Sequence, residues 1–401
     1  MPRRHDIDAL RVFAFALLIL YHVGMVYVTE WGYHVKSLHQ AEWLQWPMIA
    51  LNRWRMPLLF AISGMALGLA MVSRPASRLC LSRSRRLLLP LAFGMLAIVP
   101  VQAYCEALAN GAIAPGFGGF LWRYLQLRPW PDGGWSGAGY GVTWNHLWYL
   151  AYVWIYSMAL LLLAPAMGSG GWRRLHGRLF RQRRVWWVLL PVAWLFSCSW
   201  WLQPRFPETH ALFGDWYAHA KYFAFFLAGW VVAREQRFWS GVQAMRGRML
   251  ALALTAIALE LSLRAAGRYL PPGDIPAFAL HVDWGMIERF ARALYSWTAL
   301  LAIFGWSHAL LNRPFRWLPY ASEAVYPWYV LHQSLIVPLA FALAPMRLGP
   351  ILEPLAVLAG TVAGCLWLHE FVIRRTALLR PLFGLAPASR KSVMNTTRAQ
   401  V

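Results

Sequence analysis

The chain has 401 residues, of which 59% are hydrophobic and only 13% are charged. A soluble domain usually carries about 25% charged residues, so this composition excludes an ordinary soluble protein and predicts one that lies in a membrane. The net charge of +22 does not indicate nucleic-acid binding, because the basic residues cluster between apolar runs and do not cover one wet face.

Ten segments are apolar over roughly the 20 residues that a spanning helix needs. In chain order they are residues 8–29, 47–72, 87–108, 143–166, 185–202, 216–234, 248–266, 287–311, 323–345 and 350–373. The first segment is no cleaved signal peptide, because it is long and carries charges that such a peptide does not need. We therefore predict an all-α, polytopic bundle of about ten transmembrane helices. It forms a single domain over residues 1–380, followed by a basic, disordered tail over residues 381–401.

Basic residues are distributed unequally between the two sets of loops. Most of them lie in one set, which includes the runs RPASRLCLSRSRR and WRRLHGRLFRQRR. Basic loops usually face the cytoplasm, so both termini are predicted to be cytoplasmic in a multi-pass membrane protein. The opposite loops are rich in Gly, Pro and Trp, and the one over residues 114–141 is long enough to indicate a functional loop. Its aromatic residues suit either sugar rings or the membrane interface.

Three ionisable residues lie on one stripe of the first predicted span. Asp8 precedes Arg11 by three residues. At about 100° per residue, the rotation around the helix axis from Arg11 to His22 differs from a whole number of turns by only about 20°, so both residues lie on the same side of the helix. Ionisable groups inside a span are costly and usually face a bundle interior or a wet cavity. Asp8 can simply pair with Arg11, and His22 can be a packed histidine, but the alignment of all three favours a functional stripe.

The second predicted span carries Arg55 at about the depth of His22. A neutral histidine near an arginine is suited to act as a general base beside an oxyanion or substrate clamp. Arg53 points the other way round the helix and is expected to reach the outer interface. Ser63, on the same span, is the nearest candidate for a covalent acyl intermediate, which is the less favoured mechanism.

Five sequence motifs, taken together, resemble those of the membrane acyltransferase-3 family. They are Arg11 with His22 after ten intervening residues, RMPLLFAISG at residues 55–64, Arg83 with Arg86, HLWYL at residues 146–150, and SEAVYPWYVLHQ at residues 322–333. They occur in the family's order and cover nearly the whole chain. Residues 31–37 and 55–64 are most similar to the family's succinyltransferases of osmoregulated periplasmic glucans.

The resemblance implies transfer of a succinyl or acetyl group from cytoplasmic acyl-CoA to a hydroxyl of an extracytoplasmic glycan, such as a periplasmic glucan. His22 would take the proton from the sugar hydroxyl, Arg11 would guide the donor, and Asp8 would orient Arg11. Arginine forks suit phosphates, so Arg83 and Arg86 fit the phosphates of acyl-CoA. The predicted substrate-binding residues are Arg55, Arg83, Arg86, His146, Trp148, Glu323, Tyr326 and His332.

Several of these residues also fit plain structural roles. His146 and His332 can each be a second base, a sugar contact or a hydrogen-bonded packing residue. Glu323 and Tyr326 can cap a helix instead of meeting the donor, and Trp148 can anchor the chain at the membrane interface.

The expected partners are acyl-CoA (succinyl-CoA or acetyl-CoA) on the cytoplasmic side, the glycan on the periplasmic side and membrane lipid, with no nucleic acid. We expect no permanently bound cofactor. The cysteines are scattered without metal-ligand spacing, so we expect no metal.

Two other classes of protein remain alternatives. A secondary transporter of an anionic metabolite or polysaccharide precursor would also contain ionisable residues within its spans, such as Lys221 and Glu260. Transporters often consist of two related halves, and the sequence has no internal repeat. A flippase or assembly accessory without chemistry would not need a base aligned with arginines. The order of the motifs favours the acyltransferase.

Overall fold

The computed structural model describes residues 4–130, 133–181, 183–271 and 282–387. Within these ranges the chain is helical, and one isolated bridge between Val28 and Ala41 is its only β-type pairing. The all-α fold class is therefore confirmed. The helices are α1 His5–Tyr27, α2 Gln45–Ala70, α3 Ala76–Phe93, α4 Pro100–Ala109, α5 Phe117–Leu125, α6 Trp148–Met167, α7 Gly170–Arg181, α8 Trp186–Trp201, α9 Trp216–Val232, α10 Gln236–Tyr269, α11 Trp284–Leu310, α12 Leu318–Leu343, α13 Gly349–Trp367 and α14 Leu379–Leu382.

Six helical segments of the described ranges are long and apolar enough to cross a membrane. They are His5–Tyr27, Ala76–Ala109, Asn145–Met167, Gln236–Tyr269, Leu318–Met346 and Gly349–Ile373. The other predicted spans are also helical, as α2, α8, α9 and α11, and α8 is a shorter apolar helix. A multi-pass membrane protein is thus supported, while the count of ten and the cytoplasmic termini stay predictions. Most of the predicted tail, residues 388–401, lies outside the described residues.

The long segment Ala76–Ala109 contains an irregular turn between α3 and α4. Pro100 has no backbone N–H and its ring crowds the carbonyl four residues earlier, which disfavours a regular helix at this point. A π-helical turn over Gly94–Ile98 takes up the strain, with Val99 N donating to Gly94 O at 2.8 Å. A Cβ at Gly94 would lie 2.4 Å from the end of the Leu147 side chain, so a larger residue there would displace that leucine. The turn sets the direction of α4, which carries polar residues of the site.

The described helices group into two compact units. The first unit comprises Met1–Ala14, Trp46–Cys80 and Ile155–Pro314, and the second comprises Phe15–Gln45, Leu81–Trp154 and Phe315–Val401. Helix α1 begins in the first unit and ends in the second.

Each unit has its own apolar core. In the first unit, α10 and α11 pack through small residues such as Ala253, Ala256 and Ala299, which let two helix backbones approach closely. In the second unit, α1 and α12 pack through residues that include Val26 and Val337. The α1–α12 packing brings together two helices that are far apart in sequence, and both carry histidines of the site.

The predicted functional loop after α4 is folded around an aromatic cluster within the second unit. Phe120 and Tyr124 on α5 pack with Trp130 and Trp135, and the rings of Phe120 and Trp130 lie 5.1 Å apart between centroids. Arg123 covers the Trp130 ring at 4.2 Å, a typical cation–π geometry. Much of the aromatic content of this loop therefore forms its own small core.

Candidate functional site: a histidine pair in the second unit

His22 on α1 and His332 on α12 form a hydrogen-bonded pair. His22 Nδ1 lies 2.8 Å from His332 Nε2, and the two rings stack with centroids 5.0 Å apart. His332 is fully buried, whereas His22 is partly accessible. The sequence predicted both residues for the site, but it predicted no contact between them.

The backbone of α12 determines which nitrogen carries each proton. His332 Nδ1 lies 2.8 Å from Tyr329 O and 3.1 Å from Trp328 O. A carbonyl only accepts, so His332 Nδ1 must carry a proton and, in the neutral ring, Nε2 holds the lone pair. His332 Nε2 therefore accepts from His22 Nδ1–H. In this arrangement the basic lone pair of His22 lies on Nε2, as in a nucleophile–base site whose base is oriented by a third group.

His146 lies beside this pair but is engaged on both sides by protein groups. Its ring meets the His332 ring edge-on at 5.0 Å between centroids. His146 Nε2 donates to Val330 O at 3.2 Å, and Nδ1 accepts from Gln102 Nε2 at 3.4 Å. Of the alternatives for His146, this geometry favours the packing residue over a second base.

A chain of hydrogen bonds leads from His146 through two glutamine amides. Gln102 Nε2 also donates to Ser334 Oγ at 2.6 Å, and Gln102 Oε1 accepts from Asn145 Nδ2 at 3.0 Å. The same oxygen accepts from Gln333 Nε2 at 3.0 Å. Both amides are thus oriented by several partners. Their hydrogen bonds connect α4 to α12 beside His332.

The chain continues from Gln333 to a histidine–carboxylate pair. Gln333 Nε2 donates to His34 Nε2 at 2.9 Å, and His34 Nδ1 donates to Glu106 Oε2 at 2.5 Å. Glu106 Oε1 accepts from both the backbone N and Oγ of Ser136, at 3.0 and 2.7 Å. The directions of all these bonds agree with one another, so the network is ordered from the Glu106 carboxylate of α4 to His146, whose ring packs against His332.

The sequence interpretation did not identify Gln102, Glu106, His34 or Gln333 as individual site residues. His34 and Gln333 lie inside stretches that carried the family resemblance. Glu106 had a detectable signal, because an acidic residue in an apolar helix is rarely without a partner. Gln102 had no such signal, since an amide within a span is compatible with many roles.

Lys36 fixes the loop that carries His34. Its Nζ donates to Met25 O at 2.9 Å and Trp31 O at 3.1 Å, and also to Val28 O. A cation at the end of a helix is favoured by the carbonyls there, and α1 ends at Tyr27. Burial lowers the pKa of Lys36.

The predicted donor-binding arginines lie on α3 in the same unit, near Tyr326 of α12. Tyr326 Oη donates to Arg86 O at 2.8 Å; Arg83 is partly buried and Arg86 is exposed. Gly384, after α14, has a φ of +70°, and a Cβ there would lie 2.6 Å from the Tyr326 ring. The chain after α14 therefore covers Tyr326, and a glycine is required for that contact.

Glu323 is held by ion pairs at the start of α12. Its Oε1 lies 3.2 Å from Arg374 Nε and 4.0 Å from Arg380 Nη1. These pairs favour the structural alternative for Glu323. Trp148, also in the second unit, is nearly buried and packs edge-on against Tyr152 with ring centroids 5.1 Å apart.

The other predicted site residues belong to the first unit. Arg11 Nη2 lies 3.3 Å from Asp8 Oδ1, the local ion pair that their spacing predicted. Arg55 is 5% exposed. That Arg55 and His22 lie at a similar depth in the membrane stays a prediction.

A cluster of paired charges lies elsewhere in the first unit. Arg53 donates to Glu260 Oε1 from Nε at 2.9 Å, so it does not simply reach the interface as the sequence predicted. Arg264 and Arg292 approach the same oxygen at 3.3 and 3.6 Å. Both arginines also pair with Glu288, with 2.6 Å between Arg292 Nη2 and the carboxylate. Glu288 and Arg292 are four residues apart on α11, a spacing at which side chains are neighbours on a helix surface.

Lys221, whose position within a span was a feature shared with transporters, is paired as well. Its Nζ lies 3.1 Å from Glu208 Oε2. Glu260 and Lys221 thus have structural partners, and the feature that favoured a transporter has a simpler explanation.

No group of His, Cys, Asp or Glu in the described ranges has the arrangement of a metal site. A family model described as an acyltransferase domain matches residues 4–370. No curated protein and no solved structure matches the chain.

Proposed function

Because the chain belongs to the acyltransferase-3 family, we propose that this membrane acyltransferase transfers a succinyl or acetyl group from acyl-CoA to a glycan hydroxyl. The proposal assigns the donor to the cytoplasmic side of a bacterial inner membrane and the glycan, such as a glucan, to the periplasmic side. A secondary transporter is the alternative that the experiment below must exclude.

The observation that carries the proposal is the oriented histidine pair. His22 Nδ1 donates to His332 Nε2 at 2.8 Å, so His22 Nε2 is the basic nitrogen. In the proposed reaction, Nε2 takes the hydroxyl proton while the hydroxyl oxygen bonds to the thioester carbonyl carbon. The C–S bond then breaks, and His22 returns the proton to the thiolate, so that CoA leaves as a thiol.

His332 acts on this reaction through His22. When His22 is protonated, its Nδ1–H becomes a stronger donor to the neutral His332 Nε2, because a hydrogen bond from an ionised group is stronger than a neutral one. His332 also prevents the ring of His22 from turning. It is therefore a positioning residue, and the network from Gln102 to Glu106 supports the helices that hold it.

The basic residues of α3 support the assignment of the donor. Arg83 and Arg86 carry two guanidinium groups at one end of a candidate span, and the backbone of Arg86 is tied to Tyr326. Acyl-CoA carries several phosphates, which guanidinium groups bind in a bidentate manner. Asp8 would keep Arg11 oriented through their ion pair, and the roles of Arg11 and Arg55 in the reaction rest on the sequence motifs alone.

The experiment compares wild type with His22→Ala in nanodiscs, each incubated with succinyl-CoA or acetyl-CoA and a soluble β-glucan. Release of CoA thiol and the mass of the glucan are followed together. We expect wild type to add one type of acyl mass and His22→Ala to lose about 10²- to 10⁴-fold in rate, the usual contribution of a general base. His39→Ala is the matched control, since His39 lies outside the hydrogen-bonded network, and it should retain activity.

Two results would contradict the proposal. Full activity of His22→Ala would remove His22 as the base. A folded wild-type protein that neither binds acyl-CoA nor releases thiol with any donor would exclude the acyl-CoA mechanism and favour the transporter.

A further inference from the structure

Two cavities of the first unit share a wall. One is a groove of about 560 Å³ along α7, α8 and α9, lined almost entirely by apolar and aromatic side chains. The other, of about 580 Å³, is lined in part by Arg173, His176 and Arg234. Trp172 and Val231 line both cavities, so an apolar compartment and a basic compartment adjoin each other.

The groove is formed by the fold itself, with tryptophan hydrogen bonds near both ends. Trp187 Nε1 donates to Leu179 O at 3.1 Å and ties α8 to α7. Trp194 Nε1 donates to Ala220 O at 3.1 Å and ties α8 to α9. From Trp186 to Trp194 a helix rises about 12 Å, which is long enough to accommodate a large part of an acyl chain.

The basic compartment carries a net positive charge. Arg173 and Arg234 are exposed, and Glu235 is the only carboxylate among the residues that line the compartment. The side chain of Glu235 already accepts from Arg237 N as the N-cap of α10. Two guanidinium groups against one engaged carboxylate favour an anionic ligand.

Helix α7 has the composition of a helix that lies in the membrane interface. Apolar residues such as Trp172 and Phe180 line the cavities, while Arg174, Arg178 and Arg181 are exposed. Amphipathic helices with arginines on the polar face bind at the boundary between headgroups and acyl chains, most strongly where the lipid is anionic. Such a helix would place the basic compartment at headgroup level.

We propose that these two compartments bind one anionic phospholipid. The phosphate of its headgroup contacts Arg173 and Arg234, and one of its acyl chains lies in the groove between α8 and α9. None of the residues that line the two cavities is among those proposed for the acyl-transfer chemistry.

The test is a lipid titration of the purified full chain in detergent, with bound lipid counted by native mass spectrometry. Phosphatidylglycerol and phosphatidylcholine with the same acyl chains are compared, so that only the headgroup charge differs. We expect one retained phosphatidylglycerol and markedly weaker phosphatidylcholine. Arg173→Ala with Arg234→Ala should weaken phosphatidylglycerol binding about 10- to 30-fold, since each basic residue near an anionic surface contributes a similar small increment.

Three further variants make the test specific. Arg178→Ala with Arg181→Ala removes the same charge from α7 outside both cavities and should leave binding nearly unchanged. Ala228→Phe fills the groove without changing any charge and should weaken the binding of both lipids. Arg173→Lys with Arg234→Lys keeps the charge and should retain most of the binding, which separates a charge effect from misfolding.

Several results would overturn the proposal. Equal binding of the two lipids would show that the basic compartment does not select an anion. Equal loss in the Arg178/Arg181 control would indicate diffuse charge attraction, and unchanged binding in Ala228→Phe would exclude the groove. Displacement of phosphatidylglycerol by inorganic phosphate or by acetyl-CoA would identify a free anion or the donor, and not a lipid, as the ligand.

Discussion

The two units place their polar residues inside an apolar fold in different ways. In the first unit, Glu260 is fully buried and meets arginines from three positions in the chain, so a buried charge is compensated by opposite charges. In the second unit, His332 pairs with His22, and a network of mostly neutral donors and acceptors runs beside this pair from His146 to Glu106. Paired charges stabilise a fold, whereas ordered neutral donors determine where a proton resides. The second arrangement therefore matches the proton-transfer role proposed for His22.

The largest effect is expected from breaking the charge cluster of the first unit. Glu260→Ala leaves Arg53, Arg264 and Arg292 close together without the carboxylate between them. Removing one partner of a buried ion cluster costs about 3–5 kcal/mol, and we expect that loss as a lower midpoint of thermal unfolding in detergent. Glu288→Ala is the matched control and should cost less, because Glu288 is more exposed. Equal stability of Glu260→Ala and wild type would show that the cluster is not structural.

A smaller effect on stability, but a clear one on catalysis, is expected in the second unit. His332→Ala removes the acceptor for His22 Nδ1–H, and we expect kcat to fall about 10- to 100-fold, as for other residues that orient a reactive group. KM for acyl-CoA should stay nearly constant, since His332 is fully buried and, in this proposal, acts through His22. His332→Gln keeps an acceptor at about the place of Nε2 and should recover part of kcat. A purely structural role predicts that both variants lose stability and activity in parallel.

The smallest effect is expected from Glu208, a paired carboxylate of the first unit. Burial alone would raise the pKa of Glu208, but the charge of Lys221 and hydrogen bonds from His210 and Tyr222 outweigh it and lower that pKa. A carboxylate whose pKa is lower in the folded state than in the unfolded state stabilises the fold at high pH. This stabilisation is lost as the pH falls from the unfolded value, about 4.3, toward the folded one.

Unfolding midpoints of wild type and Glu208→Gln would reveal that loss. The two should differ by an amount worth about 1 kcal/mol between pH 6 and 8, and the difference should shrink below about pH 4. A difference that does not change with pH would mean that Glu208 acts through packing alone.

Local spacing predicted the contacts that lie within one helix. The pair of Asp8 and Arg11 follows from their separation of three residues, and the pair of Glu288 and Arg292 from a separation of four, because residues at these spacings are neighbours on a helix surface. The same reasoning placed His22 on the stripe of Arg11. It could not assign His146, whose two ring nitrogens are engaged by α4 and α12.

The amino-acid sequence by itself indicated that the protein lies in a membrane, that its fold is all-α and which family it resembles. An apolar run long enough to cross a bilayer forms a helix, because its backbone polar groups find no water there and must bond within the segment. Motifs in a fixed order identify a family without any knowledge of the contacts between residues. Tertiary structure alone decided which nitrogen of His22 is basic. That choice depends on His332, which lies 310 residues away in the chain, and on the Tyr329 carbonyl behind it. Helical periodicity carries no information about such a partner, because only the packing of α12 against α1 brings it within hydrogen-bonding distance.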